Sequence, residues 1–408
     1  MKAVVWTLGC KVNSYESELL CFGLKQKGYE VSEELGFADL YILNTCAVTQ
    51  EAEKKSRQAV ARVKKFNPNA KIIVCGCASQ KSPQAFLEKQ GVQLVTGAKS
   101  KEKILDLLDK SGLYIHNQDE YAPCELIPET TKTRAFIKIQ DGCNNFCSYC
   151  IIPYLRGRSR SRNLDEILRE IEKINAKEIV LTGIDISDYN YNGKTLVDLI
   201  MVCSSFDKRI RLGSLHASVI TKELLQALKS LNRFSEHFHL SLQSGSDLVL
   251  KSMNRKYTTD DYFEKVKLIR EYFPSCAITT DVIVGYSTET ELEFENSLNF
   301  CKKVGFADIH CFPYSAREGT VGAKLKELSS QVKKERMAKI LRLKQELINN
   351  FYKQNENKEL EFIPEEFDGE YTIGTTSNYI KCKIKGVVEN EIKIMLVKQE
   401  EISLAKGV

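Results

Sequence analysis

Residues 142–153 read Gly142-Cys143-Asn144-Asn145-Phe146-Cys147-Ser148-Tyr149-Cys150-Ile151-Ile152-Pro153. The three cysteines, Cys143, Cys147 and Cys150, are separated by three and then by two residues, a spacing that suits three thiolate ligands of one four-iron cluster. Ordinary ferredoxin clusters take four cysteine ligands, so a loop with three leaves one iron without a protein ligand. The stretch therefore predicts a cluster with an open iron that a small molecule completes.

A second interpretation of the same loop involves no cluster. Cys147 and Cys150 alone form a CxxC pair that could hold zinc or cycle as a dithiol. Zinc needs further cysteine or histidine ligands, and the nearest histidines in the sequence are His116 and His216. A redox dithiol does not need Cys143. The cluster is the favoured interpretation, and a zinc or structural loop is the alternative.

The region before this loop alternates short apolar strands with amphipathic helices. Strands are predicted at residues 3–6, 40–43 and 72–74, and helices at residues 15–27, 52–65 and 83–90. This pattern is typical of the α/β class and predicts a small doubly wound parallel sheet.

Three further cysteines follow the predicted strands of that sheet. Cys10, Cys46 and Cys77 each stand just beyond the carboxyl end of a strand. Because these ends lie at one edge of a parallel sheet, we expect the three thiols to converge there. The alternative for each cysteine is a buried small apolar residue, which is how we interpret Cys21 and Cys75.

The region after the loop repeats strand and helix in longer units. Strands are predicted at residues 135–139, 178–181, 209–212, 237–242, 278–284 and 307–312. Six such units with right-handed crossovers make a partial (β/α)6 barrel whose reactive edge is the carboxyl end of its strands. The cysteine loop follows the first strand, so its cluster is expected at that edge. Candidate contacts for the small molecule follow later strands, with simple turns as the alternative: Gly183, Asp185, Gln243, Ser244, Asp281 and Gly285.

Four arginines follow the cysteine loop at every second position. In extended chain Arg156, Arg158, Arg160 and Arg162 would lie on one side, where they could track the phosphates of a nucleic acid. A solvated basic stretch, or carboxylate partners within the barrel, explains them as well.

A long charged helix at residues 329–353 closes the barrel, and the remaining chain alternates short β-type stretches that predict a small β-barrel. Lys381, Lys383 and Lys385 share one face of a predicted strand. That face suits contact with a phosphate backbone, although charges that protect a sheet edge from aggregation would look the same.

The length and composition of the chain indicate how many domains it forms and in which compartment it lies. The chain has 408 residues, 43% of them apolar, and we predict domains over residues 1–115, 129–350 and 351–408. No apolar run approaches the roughly 18 residues of a spanning helix, so we expect a cytoplasmic protein without a membrane partner. The net charge of +5 is modest, with its positive excess mainly in residues 129–350.

Along essentially its whole length the chain resembles the radical S-adenosylmethionine (SAM) methylthiotransferases. The segments that carry the resemblance are Thr7-Leu8-Gly9-Cys10-Lys11-Val12-Asn13, Asn44-Thr45-Cys46-Ala47-Val48-Thr49, Gly76-Cys77-Ala78-Ser79-Gln80, the loop from Gly142 to Arg158, Leu242-Gln243-Ser244-Gly245-Ser246 and Phe312-Pro313-Tyr314-Ser315.

The resemblance implies two [4Fe-4S] clusters and SAM as cofactors. Cys143, Cys147 and Cys150 would hold the cluster that cleaves SAM, and Cys10, Cys46 and Cys77 an auxiliary cluster that carries or donates sulfur. One SAM would supply a methyl group, and a second the radical that removes hydrogen from carbon 2 of an adenine. The C-terminal unit would be a TRAM domain, an RNA-binding β-barrel.

The segment Cys10-Lys11-Val12-Asn13 is similar to the branch of the family that modifies N6-threonylcarbamoyladenosine beside the tRNA anticodon. The implied partners are the tRNA anticodon loop and a low-potential electron donor of flavodoxin or ferredoxin type, and we expect a monomer. Isopentenyladenosine in tRNA and a ribosomal-protein aspartate stay open as targets. A non-enzymatic iron–sulfur protein that binds RNA is an alternative of another class.

Overall fold

The computed structural model describes residues 1–99, 101–115, 126–128, 132–388 and 393–397. Its N-terminal unit is a six-stranded parallel sheet with helices between the strands, in the order β2-β1-β3-β4-β5-β6. The elements are β1 Lys2–Thr7, α1 Lys11–Gln26, β2 Glu30–Ser32, β3 Leu40–Thr45, α2 Gln50–Val63, β4 Lys71–Gly76, α3 Cys77–Lys81, α4 Pro83–Leu87, β5 Val92–Thr96 and β6 Gly112–Tyr114. The predicted doubly wound sheet is confirmed, and β2, β5 and β6 were not predicted.

The middle unit is a partial barrel of parallel strands wrapped by helices. Its elements are β7 Arg134–Lys138, β8 Gln140–Asp141, α5 Ile152–Arg156, β9 Arg160–Ser161, α6 Leu164–Lys173, β10 Glu178–Thr182, β11 Asn190–Tyr191, β12 Lys194–Thr195, α7 Leu196–Cys203, β13 Arg209–Leu212, β14 Ser214–Leu215, α8 Lys222–Lys229, β15 His237–Leu240, α9 Asp247–Ser252, α10 Thr259–Tyr272, β16 Ala277–Val284, α11 Glu291–Val304, β17 Asp308–Pro313 and α12 Ser330–Asn355.

The six predicted barrel strands are all present and stay in chain order across the barrel. Strands β7, β10 and β13 pair in parallel, and so do β14, β15, β16 and β17. Only Gly213 separates β13 from β14, so the two sheets form one continuous wall. Alternate residues of each strand pack outward against the helices, and the polar residues between them line the inside.

The C-terminal unit is an antiparallel sheet in the order β20-β19-β18-β21, made of β18 Glu359–Phe367, β19 Tyr371–Thr376, β20 Lys381–Lys385 and β21 Lys393–Leu396. It packs against the amino ends of the barrel strands. The Tyr379 ring stacks on His237 at a centroid distance of 4.0 Å, and Arg209 donates to the carbonyl of Thr375 at 3.2 Å. This unit therefore lies at the opposite end of the barrel from the edge predicted to hold the cysteines.

Among the described residues no helix combines the length and the apolar character that crossing a bilayer requires. Two expectations fall partly or wholly on residues outside the described ranges. One is the junction between residues 115 and 129, which includes His116, and the other is part of the C-terminal β-type region, residues 389–392 and 398–408. The division into domains over residues 1–115, 129–350 and 351–408 stays a prediction.

Candidate active site

The N-terminal cysteine site comprises Cys10, Cys46 and Cys77, which follow β1, β3 and β4 as predicted. Two glycines with positive φ allow the backbone segments that carry these cysteines to lie close together. At Gly9, with φ 126°, a Cβ would lie 2.8 Å from the Cβ of Cys46, and at Gly76, with φ 103°, a Cβ would collide with the backbone of Thr45. No side chain larger than hydrogen fits at either place, so the two glycines set the spacing of the site.

The thiols of the N-terminal cysteine site influence one another. Burial raises the pKa of Cys46 to about 11, the backbone N–H of Val48 opposes the rise, and Cys77 and Cys10 add to it. Cys46 and Cys77 are buried and Cys10 is exposed. Metal ions displace such protons on binding, so three thiols at one sheet edge fit a metal cluster.

The loop cysteine site comprises Cys143, Cys147 and Cys150, between β8 and α5. Both the backbone N–H and the side-chain amide of Asn145 donate to Sγ of Cys143 at 3.4 Å. Phe146, between the first two cysteines, has φ 46°, a strained value for a residue with a Cβ that is typical of functional sites. Burial raises the pKa of Cys150 to about 12, with Cys147 and Cys143 contributing.

The spacing of the sulfur atoms separates a cluster from a single zinc ion. In the described chain the only group of three potential metal ligands within 4.8 Å of one another is His239, Asp281 and His310. Neither cysteine site is that compact. Zinc–sulfur bonds of about 2.3 Å in a tetrahedron bring ligand atoms to roughly 3.8 Å apart. Both sites therefore suit a larger cluster better than zinc.

One residue at the loop cysteine site was not predicted from the sequence. Arg255 donates from Nη1 to Sγ of Cys147 at 3.3 Å. Burial works to lower the pKa of Arg255, but Tyr257, Tyr149 and Cys147 outweigh it and raise that pKa. The two contact residues are 108 positions apart, and no spacing in the sequence links them.

A cavity of about 250 Å³ lies beside both sites. Val48 and Thr49 reach it from the N-terminal cysteine site, and Tyr149 and Cys150 reach it from the loop cysteine site. The remaining lining comes from the loop and from the carboxyl edge of the barrel: Ile151, Ile152, Gln243, Asp281, Ile283, Phe312, Pro313, Tyr314 and Ser315. The two cysteine edges therefore face one another across a shared space.

Three of the candidate small-molecule contacts lie at this site. Gln243 and Asp281 line the cavity, and Gln243 has φ 71°. Burial works to raise the pKa of Asp281, but His239 and His310 outweigh it and hold that pKa low, so the side chain is a carboxylate. Oδ2 of Asp185 lies 3.8 Å from Sγ of Cys143 and accepts from Asn145 at 2.6 Å.

The other three candidates have packing roles. The hydroxyl of Ser244 is buried against that of Ser297 on α11 at 3.2 Å. A Cβ at Gly285 would lie 2.6 Å from the side chain of Lys333, and one at Gly183 would lie 2.9 Å from the carbonyl of Gln140. None of these three residues belongs to the cavity lining, so ligand contacts at Ser244, Gly285 and Gly183 stay predictions.

The predicted row of four arginines is wrong. Arg156 ends helix α5, so the extended spacing fails at its first member. Arg156 is fully buried and donates to Glu16 and Asp141 at 3.0 Å, and Arg162 is buried against Glu170. Neither side chain can reach RNA, because each is paired with a carboxylate inside the protein.

The remaining two arginines differ from each other. Nη2 of Arg160 lies 3.6 Å from Oδ2 of Asp141, and only 8% of its side chain is exposed. Arg158 is exposed, with its guanidinium 4.4 Å from the ring centroid of Phe146. Of the four, Arg158 alone keeps a surface available to a partner.

Lys381, Lys383 and Lys385 alternate with inward-facing residues along β20, as predicted. Lys381 and Lys385 are exposed, while Nζ of Lys383 lies 4.5 Å from the ring centroid of Tyr371. Their sheet packs at the amino ends of the barrel strands. The predicted phosphate contact of these lysines would therefore lie at the opposite end of the barrel from the cavity.

A buried ion network joins the N-terminal unit to the barrel beneath the two sites. Its centre is Glu16 on α1, which pairs with Lys101, with Lys138 at 2.6 Å and with Arg156 at 3.0 Å. Burial works to raise the pKa of Glu16, but these three cations outweigh it and hold the pKa well below its usual range. Lys138 and Arg156 also contact Asp141, so the network links α1 to the start of the cysteine loop.

Two family models match the chain. The Radical SAM superfamily model matches residues 137–301, which hold the loop cysteine site and most of the barrel. A model described as Uncharacterized protein family UPF0004 matches residues 2–97, which hold the N-terminal cysteine site.

Curated relatives match almost the full length. The chain is 39% identical to the threonylcarbamoyladenosine tRNA methylthiotransferase MtaB of Bacillus subtilis, over 96% of this chain and 92% of the relative. Identity to MtaB of Aquifex aeolicus is 37%, over 95% and 98%. Identity to the tRNA-2-methylthio-N(6)-dimethylallyladenosine synthase of Thermodesulfovibrio yellowstonii is 36%, over 93% and 91%.

Among solved structures, the radical SAM methyltransferase TsrM of Kitasatospora setae superposes with a TM-score of 0.56. The match covers 76% of this chain and 72% of that one at 13% identity, and it supports the similarity of the fold alone.

Proposed function

The chain belongs to the radical SAM methylthiotransferases, and we propose that it converts the C2–H group of N6-threonylcarbamoyladenosine, beside the tRNA anticodon, into C2–SCH3. Membership makes it an enzyme that uses SAM and iron–sulfur chemistry on tRNA, and removes the alternative of a non-enzymatic RNA-binding protein. The single observation that carries the proposal is the cavity lined by Cys150 of the loop cysteine site and by Val48 and Thr49, which closely follow Cys46 of the N-terminal cysteine site.

We assign one four-iron cluster to each cysteine site. Bound there, the cluster with the open iron would supply an electron that splits SAM into methionine and a 5′-deoxyadenosyl radical, and the other cluster would supply sulfur. The protein's part is to hold both groups and the base within reach of one space. Gln243 and Asp281 offer the polar groups that would orient a ligand there, and Asp185 holds the side chain of Asn145, which donates to the first cysteine of the loop.

The apolar walls of the cavity have a separate role. Ile151, Ile152 and Ile283 line it, and their buried or half-buried side chains would keep water from the reacting atoms. A radical formed in a site open to water would react with whatever reached it. An apolar wall therefore favours removal of hydrogen from carbon 2 of the adenine.

The surface beside the cavity suits a single-stranded RNA loop. The side chain of Tyr154, next to the cavity-lining residues of the loop, is 54% exposed and packs edge-on against Phe146 at 5.8 Å. The guanidinium of Arg158 lies 4.4 Å from the centroid of the same Phe146 ring. Exposed aromatic rings stack on unpaired bases and arginine contacts phosphates, so Tyr154 and Arg158 would grip nucleotides that flank the target.

Each of the three predicted domains would have its own role in this reaction. Residues 1–115 would carry the auxiliary cluster, residues 129–350 the SAM chemistry and residues 351–408 an RNA-binding TRAM domain. Lys381, Lys383 and Lys385 would then contact the tRNA away from its anticodon loop. A flavodoxin or ferredoxin would deliver electrons to a monomer.

Nucleoside mass spectrometry tests the target. Transfer RNA from cells that lack this gene should lose 2-methylthio-N6-threonylcarbamoyladenosine and regain it when the gene is restored. Reconstituted enzyme should also modify an anticodon stem-loop that carries the threonylcarbamoyl group, and leave one with unmodified adenosine unchanged.

A second candidate target is dimethylallyladenosine, because a 36% identical relative is a synthase for its methylthio derivative. Stem-loops with each modification, given to the same enzyme, separate the two. Product from the dimethylallyl substrate alone would contradict the proposed target and leave the chemistry intact.

A further inference from the structure

The guanidinium of Arg255 is fixed on three sides. Nη1 donates to Sγ of Cys147 at 3.3 Å, Nη2 donates to the carbonyl of Ser241 at 3.1 Å, and Nε donates to the hydroxyl of Tyr257 at 3.0 Å. Tyr257 in turn donates to the carbonyl of Leu242 at 2.6 Å. The contact with sulfur is therefore imposed by barrel residues that have no part in the cysteine loop.

The chain just before Arg255 is tied to the loop as well. The side-chain amide of Asn254, whose φ is 59°, donates to the carbonyl of Phe146 at 3.1 Å. The backbone N–H of Ser148 donates to the carbonyl of Met253 at 3.0 Å. These bonds hold residues 253–255 and the loop in one register, so the arginine stays on the middle cysteine of the three.

We propose that Arg255 is a positioning residue that raises the reduction potential of the cluster in the loop cysteine site through its hydrogen bond to Cys147. The inference rests on the proposed function, in which this site holds the cluster that splits SAM. Reduction adds negative charge to the sulfurs, and a cationic N–H donor stabilises the reduced form more than the oxidised one. Arg255 would thus make the cluster easier to reduce without touching SAM or RNA.

The test uses full-length protein in which Cys10, Cys46 and Cys77 are changed to alanine, so that a single cluster titrates. Arg255→Gln loses the charge and leaves a shorter amide donor, and Arg255→Lys keeps the charge and loses the planar fork. Lys251→Gln is the matched control, since it removes the same charge from an exposed position on α9, four residues before Arg255. Potentials are measured by redox titration followed by electron paramagnetic resonance, with iron counted in each sample.

At a fixed potential, Arg255→Gln should lower the ratio of reduced to oxidised cluster about tenfold, a shift of about 59 mV for one electron. Arg255→Lys should shift less, and Lys251→Gln should leave the potential unchanged.

Equal potentials in the parent and Arg255→Gln, at equal iron content, would overturn the role of Arg255 and leave the proposed function standing. A parent protein with no four-iron signal would overturn the proposed function and this inference together. If Arg255→Gln holds less iron, the midpoint is still read from the fraction that carries the cluster, and an unshifted midpoint in that fraction overturns the inference.

Discussion

The two cysteine sites are built in different ways. The loop cysteine site takes its three thiols from eight consecutive residues, and side chains donate directly to two of its sulfurs, from Asn145 and Arg255. The N-terminal cysteine site takes its thiols from three strand ends spread over 68 residues, Cys10 to Cys77, with a backbone donor from Val48 at Cys46. Its support is the buried ion network around Glu16, which reaches across from the barrel.

Because the two sites are built differently, substitutions should affect them in different ways. A site made by one loop depends on local geometry and on a few donors, so substitutions there should change its chemistry first. A site made by a whole sheet, held against a second unit by buried charges, should respond first to loss of folding or docking.

The largest effect should come from removing the cysteines of one site at a time. Changing Cys10, Cys46 and Cys77 to alanine should remove about four irons and all methylthiolated RNA, while 5′-deoxyadenosine is still formed. The same change at Cys143, Cys147 and Cys150 should remove both products. Iron analysis and chromatography of the products measure each outcome.

Cys21→Ala is the control for that experiment, because Cys21 is buried in the core of the N-terminal sheet and should leave the iron content unchanged. Unchanged iron in either triple variant would refute the assignment of a cluster to that site.

The next effect concerns Arg156 and stability. Arg156→Ala leaves Glu16 and Asp141 buried with fewer partners, and breaking a buried pair in this way costs about 3–5 kcal/mol. Arg158→Ala, two residues away on the surface, should change stability by about 0.5 kcal/mol or less. Urea unfolding followed by circular dichroism compares them.

Iron analysis of the same two variants connects stability to the sites. We expect Arg156→Ala to lose iron from the N-terminal cysteine site first and to keep that of the loop cysteine site. Equal unfolding midpoints for the two variants would show that the network does not hold the units together.

The ion network should also make the protein sensitive to acid. Burial works to raise the pKa of Glu16 and of Asp141, but Arg156 and the nearby lysines outweigh it, and both folded pKa values lie below those of the unfolded chain. Such groups contribute their full stability above an unfolded pKa of about 4 and lose it as pH falls through the folded value. The contribution of one such carboxylate is on the order of 2 kcal/mol.

Unfolding midpoints at pH 7, 5 and 3.5 should therefore drop mainly in the last step. Asp141→Asn should be less stable at pH 7 but lose less between pH 5 and 3.5, because one of the titrating groups is gone. An identical acid response in parent and variant would assign the sensitivity to other carboxylates.

Much of this architecture could be predicted from local patterns. The strands that end before Cys10, Cys46 and Cys77 are short apolar runs, and their parallel order brings those ends together whatever the details of packing. The six barrel strands and the loop after the first of them were predicted for the same reason. Gly9 and Gly76 belong to motifs that were recognised, although their steric role became evident only in the structure.

The parts that were missed depend on contacts between distant residues. Glu16 lies on an ordinary amphipathic helix, and only the docking of two units shows that it pairs with Arg156, 140 positions later. Arg255 meets Cys147 for a similar reason. The alternation of the four arginines suggested one exposed row, but α5 includes Arg156 and turns its side chain inward.

Arg158 gives the test with the smallest expected effect. It is the one exposed arginine of that row, on the outer side of the loop cysteine site, so Arg158→Ser should weaken binding of the anticodon stem-loop without changing iron content or stability. Loss of one phosphate contact should reduce the salt slope of the affinity by about 1. Lys267→Ser removes the same charge from an exposed position on α10 and should leave the slope unchanged. If both variants kept the parent slope, Arg158 would make no phosphate contact, and its guanidinium would serve only the ring of Phe146.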